Sequence, residues 1–208
     1  MNLNLDIGQW IVIGLSAFLF IWYVFAGAAN RKTGIATYRF LRAVIGEFGD
    51  ISGAEWIGSS NMGARIQVKK ANKPIQRIEA RYLLEPREFL PYWLVNYLRG
   101  KHDEILIRIS LSHVPPGNLE IRRISHKAKN NINQGQLPQD FQMEPPEYQN
   151  SDMVEKIASF LEEYGQTVEK ILLQRKTPHV ELQARVKPLL NVNTEAYSEA
   201  LLSWLKVT

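Results

Sequence analysis

The sequence predicts an α+β protein: a single N-terminal transmembrane helix followed by a mainly antiparallel sheet with helices packed on one face. Three observations carry that prediction. Residues 7–29 hold no charged side chain. Several later segments alternate apolar and polar residues with period two, the mark of strands buried on one face. Others repeat apolar residues at helical spacing.

The apolar run, IGQWIVIGLSAFLFIWYVFAGAA, comes first. At 1.5 Å per residue it reaches about 34 Å, against a hydrocarbon core of about 30 Å. Trp10 lies near one end and Trp22 and Tyr23 toward the other, where aromatic belts form. Ala26-Gly27-Ala28 resembles a signal-peptide cleavage site. The flank before the run, however, has Asp6 and no Lys or Arg, and the run exceeds the roughly 7–15 residues of a signal peptide. A retained anchor is therefore expected. A helix lying in the membrane surface would need a charged face, and this one has none. Arg31, Lys32, Arg39 and Arg42 follow the run, so the positive-inside bias puts the N-terminus outside and the C-terminal domain in the cytoplasm. Without an ionisable residue in the run, no proton or ion pathway is implied. Gly8, Gly14 and Gly27 form no GxxxG pair.

Over residues 33–48, Ile35, Tyr38, Leu41, Val44, Ile45 and Phe48 recur at helical spacing, with Thr33-Gly34 as a joint to the anchor. This helix is expected to cover the sheet rather than lie on lipid. Gly and Ser punctuate 46–63, which reads as a loop with one short strand around 55–57. Its glycines fit neither a GxGxxG fingerprint nor a P-loop. Alternation marks strands over 64–69 and 76–84, joined by a hairpin loop at 70–74. Residues 86–99 read as a helix with Pro86 or Pro91 in its first turn, Leu90, Leu94, Tyr97 and Leu98 on one face and Gly100 just past its end. Residues 104–112 alternate again. After the turn Val114-Pro115-Pro116-Gly117-Asn118, residues 119–126 are expected to return as the hairpin partner, with a bulge near Arg122-Arg123. Residues 127–150 are polar. A long amphipathic helix is expected over 151–175, a strand over 179–186, and a last helix capped by Thr194. The organisation is thus an anchor over 1–30, a basic α+β domain over 31–126, a polar linker or long loop over 127–150, and a helix–strand–helix segment over 151–208 packed on the same domain.

The 208 residues carry a net charge of +4, unevenly spread. Residues 31–129 hold 18 Lys and Arg against 9 Asp and Glu, whereas 130–208 hold 7 against 11. Such asymmetry suits attraction to anionic lipid, to nucleic acid, or of one half to the other. The absence of cysteine excludes a disulfide scaffold, a thiolate metal site and a cysteine nucleophile.

Little in the sequence points to catalysis. His102, His113, His126 and His179 match no local metal motif, and no cofactor is implied. Ser112-His113 and Ser125-His126 are adjacent on strands, so their side chains point apart; only a pairing across the hairpin would join them. Asp103-Glu104 and Glu162-Glu163 read as solvated surface. The clearest constellation is basic. Arg65, Lys69, Arg77, Arg81 and Arg108 project from the polar side of the expected sheet, with Arg122 or Arg123 near them, and the acidic 151–175 helix is one candidate to dock there. Nucleic acid is disfavoured, because no exposed aromatics or groove-entering helix accompany the charge. The function expected is a non-enzymatic interaction or accessory domain held at the cytoplasmic membrane face, with the lipid bilayer as partner and either anionic lipid or an acidic protein as the candidate for its basic face. The alternatives are an enzyme whose site is assembled from dispersed residues, and an exported envelope-assembly protein of opposite orientation.

Overall fold

The computed structural model describes residues 6–124, 137–146 and 151–206. Its first element, α1 (Ile7–Gly46), is a single unbroken helix of 40 residues. It starts in a capping box: the Asp6 carboxylate accepts the Ile7 N–H at 2.7 Å, and the Gln9 side chain accepts the Asp6 N–H at 3.1 Å. The expected joint at Thr33-Gly34 is absent. A Cβ on Gly34 would lie 2.2 Å from the Ser60 carbonyl oxygen, so glycine is there for close approach to the neighbouring loop. The Tyr82 hydroxyl donates to the Gly34 carbonyl at 2.7 Å and fixes that contact.

The strands form one eight-stranded antiparallel sheet among the described residues, in the order β1-β2-β3-β4-β8-β7-β5-β6. Strands β1 (Gly53–Trp56), β2 (Gly63–Val68), β3 (Ile75–Leu83) and β4 (Glu104–Leu111) run as a meander, with α2 (Leu90–Leu98) between the last two. The expected hairpin of β4 with β5 (Leu119–Arg123) does not form. Strand β8 (Val180–Arg185) takes the open edge of β4, β7 (Val168–Leu173) pairs with β8, and β5 pairs with β7. The connection after β4 still reverses the chain, but it carries β5 past β8 and β7 instead of laying it beside β4. Strand β5 also shows no bulge; its register with β6 (Phe141–Glu144) and β7 is regular. Strand β6 lies inside the stretch expected to be a linker, and the rest of that stretch is largely outside the described residues.

The helix expected over 151–175 ends early. Helix α3 covers Asp152–Tyr164, capped by the Ser151 side chain, and a 3-10 turn at Gly165–Thr167 leads into β7. A register shift between Val168 and Lys170 explains the false periodicity. It puts Val168 and Ile171 on the same sheet face three positions apart, a spacing that imitates a helix turn. Last come α4 (Val186–Leu189) and α5 (Thr194–Leu205). The cap of α5 is Asn193 rather than Thr194: its Oδ1 accepts the Glu195 and Ala196 N–H groups at 2.9 and 3.1 Å.

The core lies on one face of the sheet, where Ile66, Ile78, Ile107, Ile109, Leu182 and Ile171 are fully buried. The C-terminal part of α1 covers them through Phe40, Leu41, Val44 and Ile45, as expected, together with α3 and α5. The three helices meet in an aromatic cluster. Tyr197 stands edge-on to Tyr164 at 5.2 Å, and Phe160 lies 5.7 Å from Tyr197 and 6.1 Å from Trp204.

Candidate functional site

The expected basic face spans β2, β3 and β4, which are neighbours in the sheet. Carboxylates interleave with its arginines. Arg65 donates to Glu79 at 2.7 Å and lies 3.7 Å from Glu55; the bond to Glu79 holds its guanidinium above the ordinary value. Arg77 is 3.8 Å from Glu79, and Arg108 donates to Glu181 at 3.0 Å. Arg81 shares a shallow recess with Glu104 and Glu181, and Lys69 stands in the turn after β2. Glu181 was invisible as a partner because it comes from β8, a strand remote in sequence. Arg122 and Arg123 are not near this group, since β8 and β7 intervene. Arg122 pairs with Glu144 at 3.2 Å, and Arg123 lies over the Phe141 ring at 4.9 Å. Helix α3 is packed into the core through Ile157 and Phe160 and does not dock on these arginines.

The cations after the apolar run behave differently. Arg31, Lys32, Arg39 and Arg42 are exposed and form no ion pair among the described residues. Arg31, Lys32 and Arg39 line one open groove along α1, with Asn61 and Glu88 on its far side. The Asn61 amide holds the Glu88 carboxylate at 2.9 Å.

Within the length of that groove, at Asn30, α1 is tied to the domain by a polar joint. Asn30 is fully buried and donates to the Glu85 carbonyl at 2.8 Å. Arg87 donates to the Asn30 side-chain oxygen and pairs with Asp103. Asp103 also accepts the Glu85 N–H at 2.9 Å, and the Asn96 amide donates to the Glu85 carboxylate. Asp103 is therefore buried, not solvated as its sequence neighbourhood suggests. It stands just before β4, where the backbone returns beneath the loop after β3. Its one sequence signal was an acid next to the start of an apolar strand. A pocket of about 350 Å³ opens beside this joint, with Trp93 and Tyr97 on one wall and Lys101 and His102 at the rim. The carboxylates that reach it are already engaged by Arg87, the Glu85 N–H and Asn96.

Helix α2 departs most from expectation. Its Leu94, Tyr97 and Leu98 share a face, but that face is turned out of the protein, while Asn96 is buried. Pro91 sits in its first turn, where a missing N–H costs nothing. Trp93 lies 5.4 Å from Trp22 of α1, and the Trp22 indole N–H donates to the Arg87 carbonyl at 2.9 Å.

The remaining candidates resolve simply. His102 and His113 are exposed, and His126 with Ser125 lies outside the described residues. The His179 Nδ1 accepts the Leu111 N–H at 2.9 Å, a structural role, and Ser112 donates to the Pro74 carbonyl at 2.8 Å. Among the described residues no group of three His, Cys, Asp or Glu could hold a metal ion. Fold and geometry define the class: an α+β domain carried on an N-terminal helix long and apolar enough to cross a membrane. The sequence matches no protein-family model and no curated protein.

Proposed function

We propose that the protein is a membrane-anchored interaction domain, a non-enzymatic accessory part of a membrane assembly, held at the cytoplasmic face by the apolar half of α1. The observation that carries this is the bareness of that half. From Ile7 to Phe25 every residue but the half-buried Trp22 is exposed, with Trp10 at 61%, Phe20 at 69% and Phe25 at 72%. The core helix of a soluble protein would have these side chains covered, and leaving them in water would forfeit about 1.5–3 kcal/mol each. Retention of the anchor is supported by Ala26 and Asn30, which are helical and packed against the domain at the segment that resembles a cleavage site.

The unpaired Arg31, Lys32, Arg39 and Arg42 support an inward-facing domain, where they meet anionic headgroups. The pocket at the polar joint is what an enzyme would use, and its carboxylates are committed to Arg87, the Glu85 N–H and Asn96, which supports the interaction reading. Sidedness tests the proposal. The chain has no cysteine, so a single cysteine at the exposed Glu162 is a clean reporter. A membrane-impermeant thiol reagent should label it only after lysis, with the chain resisting alkaline extraction. Labelling in intact cells would favour an exported domain, and release by alkali would remove the anchor.

A further inference from the structure

Helix α2 is built inside out. Among its nine residues Asn96 alone is buried, and it is polar. The apolar side chains are on the outside: Leu94 is 47% exposed, Tyr97 64% and Leu98 76%, with Phe89 beside them at 65%. A solvent-facing helix would carry the opposite pattern. Position supplies the second observation. Trp93 stacks on Tyr97 at 5.5 Å and meets Trp22, tilted, at 5.4 Å, and Trp22 meets Phe18 at 6.5 Å. The exposed surface of α2 therefore continues without a break onto the exposed surface of α1. Trp22 also lies seven residues before the end of the apolar run, about 10 Å along the helix. Helix α2 thus flanks the run itself rather than the charged segment after it. Arg99, Lys101 and His102 follow it immediately and can reach toward headgroups while the apolar stems stay below.

We infer that α2 is a second membrane element, a short helix seated in the headgroup–acyl boundary of the leaflet next to the domain, with Phe89, Leu94, Tyr97 and Leu98 in lipid and Trp22, Trp93 and Tyr92 at the level of an aromatic belt. The inference rests on the reading of α1 as a span. The occupant is lipid because the patch is one surface with the α1 side chains that lipid covers. Burying the polar edge of α2 on the protein, through Asn96 to Glu85, leaves only its apolar edge for the bilayer. The domain is then held by two points and cannot swing away from the membrane.

The experiment uses the full chain in vesicles of phosphatidylcholine with a minority of phosphatidylglycerol. Single cysteines at Leu98, Leu94, Phe20 and Glu162 carry a spin label, and collisions with oxygen, which partitions into lipid, are compared with those of a water-soluble nickel chelate. Leu98 and Leu94 should match Phe20, with high oxygen and low nickel accessibility, and Glu162 should show the inverse. If Leu98 and Leu94 resemble Glu162 while Phe20 stays in lipid, α2 is not a membrane element and the anchor stands. If Phe20 itself is open to the nickel chelate, the anchor reading fails first and takes the inference with it. Low accessibility to both reagents at Leu98 and Leu94 would mean that protein, such as a second copy, covers α2, and would also overturn the inference. The two leucines are exposed, so neither substitution opens a cavity, and they report independently.

Discussion

Arg87 should be the most costly polar side chain to remove from the joint between α1 and the sheet. Asp103 keeps only 3% of its side chain in water and Arg87 keeps 20%. Deleting one partner of a buried ion pair costs about 3–5 kcal/mol, because the surviving charge has no solvent. The partial exposure of Arg87 argues for the lower end. The buried Asn30 oxygen also loses its donor, which by itself is worth about 1–3 kcal/mol. Both losses come from one guanidinium, so they do not simply add. Arg87→Met should then cost roughly 3–4 kcal/mol, or about 10 °C in melting temperature at ~2–4 °C per kcal/mol for a domain of this size. The assay is thermal unfolding of the full chain in mild detergent, followed by near-ultraviolet circular dichroism. Adding Asp103→Asn to Arg87→Met should recover more than half of the loss, since the amide oxygen still accepts the Glu85 N–H and the stranded charge is gone. A single substitution that shifts melting by less than about 3 °C would refute the buried pair. So would a double substitution that melts lower still.

Five further outcomes are expected in the same assay. Gly34→Ala forces a Cβ against the Ser60 carbonyl, so a loss of about 1–3 kcal/mol is expected, whereas Tyr82→Phe, which drops only the hydrogen bond to Gly34, should lose about 1 kcal/mol. Trp204→Ala, at a fully buried site in the aromatic cluster, should cost about 3–5 kcal/mol. Arg108→Ala should cost about 1 kcal/mol, because Arg108 and Glu181 both keep part of their side chains in water, at 37% and 25%. Burial holds the Tyr82 and Tyr197 phenols well above their ordinary value and, helped by Glu163, pushes Tyr164 up to about 12. The fold favours their neutral forms, so this stabilisation is complete below the unfolded value of about 10 and is lost as pH rises through and beyond it. Melting temperature followed against pH should therefore fall above about pH 10, in step with the late appearance of tyrosinate absorbance.

Elements with strong local patterns were legible in the sequence. The apolar run of α1, the β2–β3 hairpin and the alternation of β4 and β8 all follow from residues close together in the chain. Adjacency was not. Nothing near Arg108 announces that Glu181 will lie opposite it, because the pairing of β4 with β8 is decided by which strand can close the core, not by the turn that follows β4. Strand β7 was misread for a local reason, the irregular register that spaces Val168 and Ile171 like a helix. Helix α2 shows the limit of periodicity more sharply. Pro91-Tyr92-Trp93-Leu94-Val95-Asn96-Tyr97-Leu98 is apolar on nearly every side, and Asn96 is the lone polar exception. With apolar residues on nearly every side, periodicity could not tell which face would turn outward, and the buried one is the face that carries Asn96. The buried Asp103–Arg87 pair joins a residue before one strand to a residue after another, and no spacing rule links them.

The absence of a break at Gly34 makes α1 a lever. Its 40 residues extend about 60 Å, and the part beyond Ala29 is an arm of about 26 Å bolted to the sheet through Phe40, Leu41, Val44 and Ile45. Transmembrane helices tilt by about 20° on average, and the angle follows the thickness of the bilayer around them. A stiff arm of that length would carry its far end sideways by roughly 9 Å over such a tilt. A domain on a flexible tether would ignore the change. With the apolar half of α1 spanning a bilayer, as proposed, the thickness of that bilayer would be converted into the attitude of the sheet, and so into which of its surfaces a neighbour in the membrane would reach.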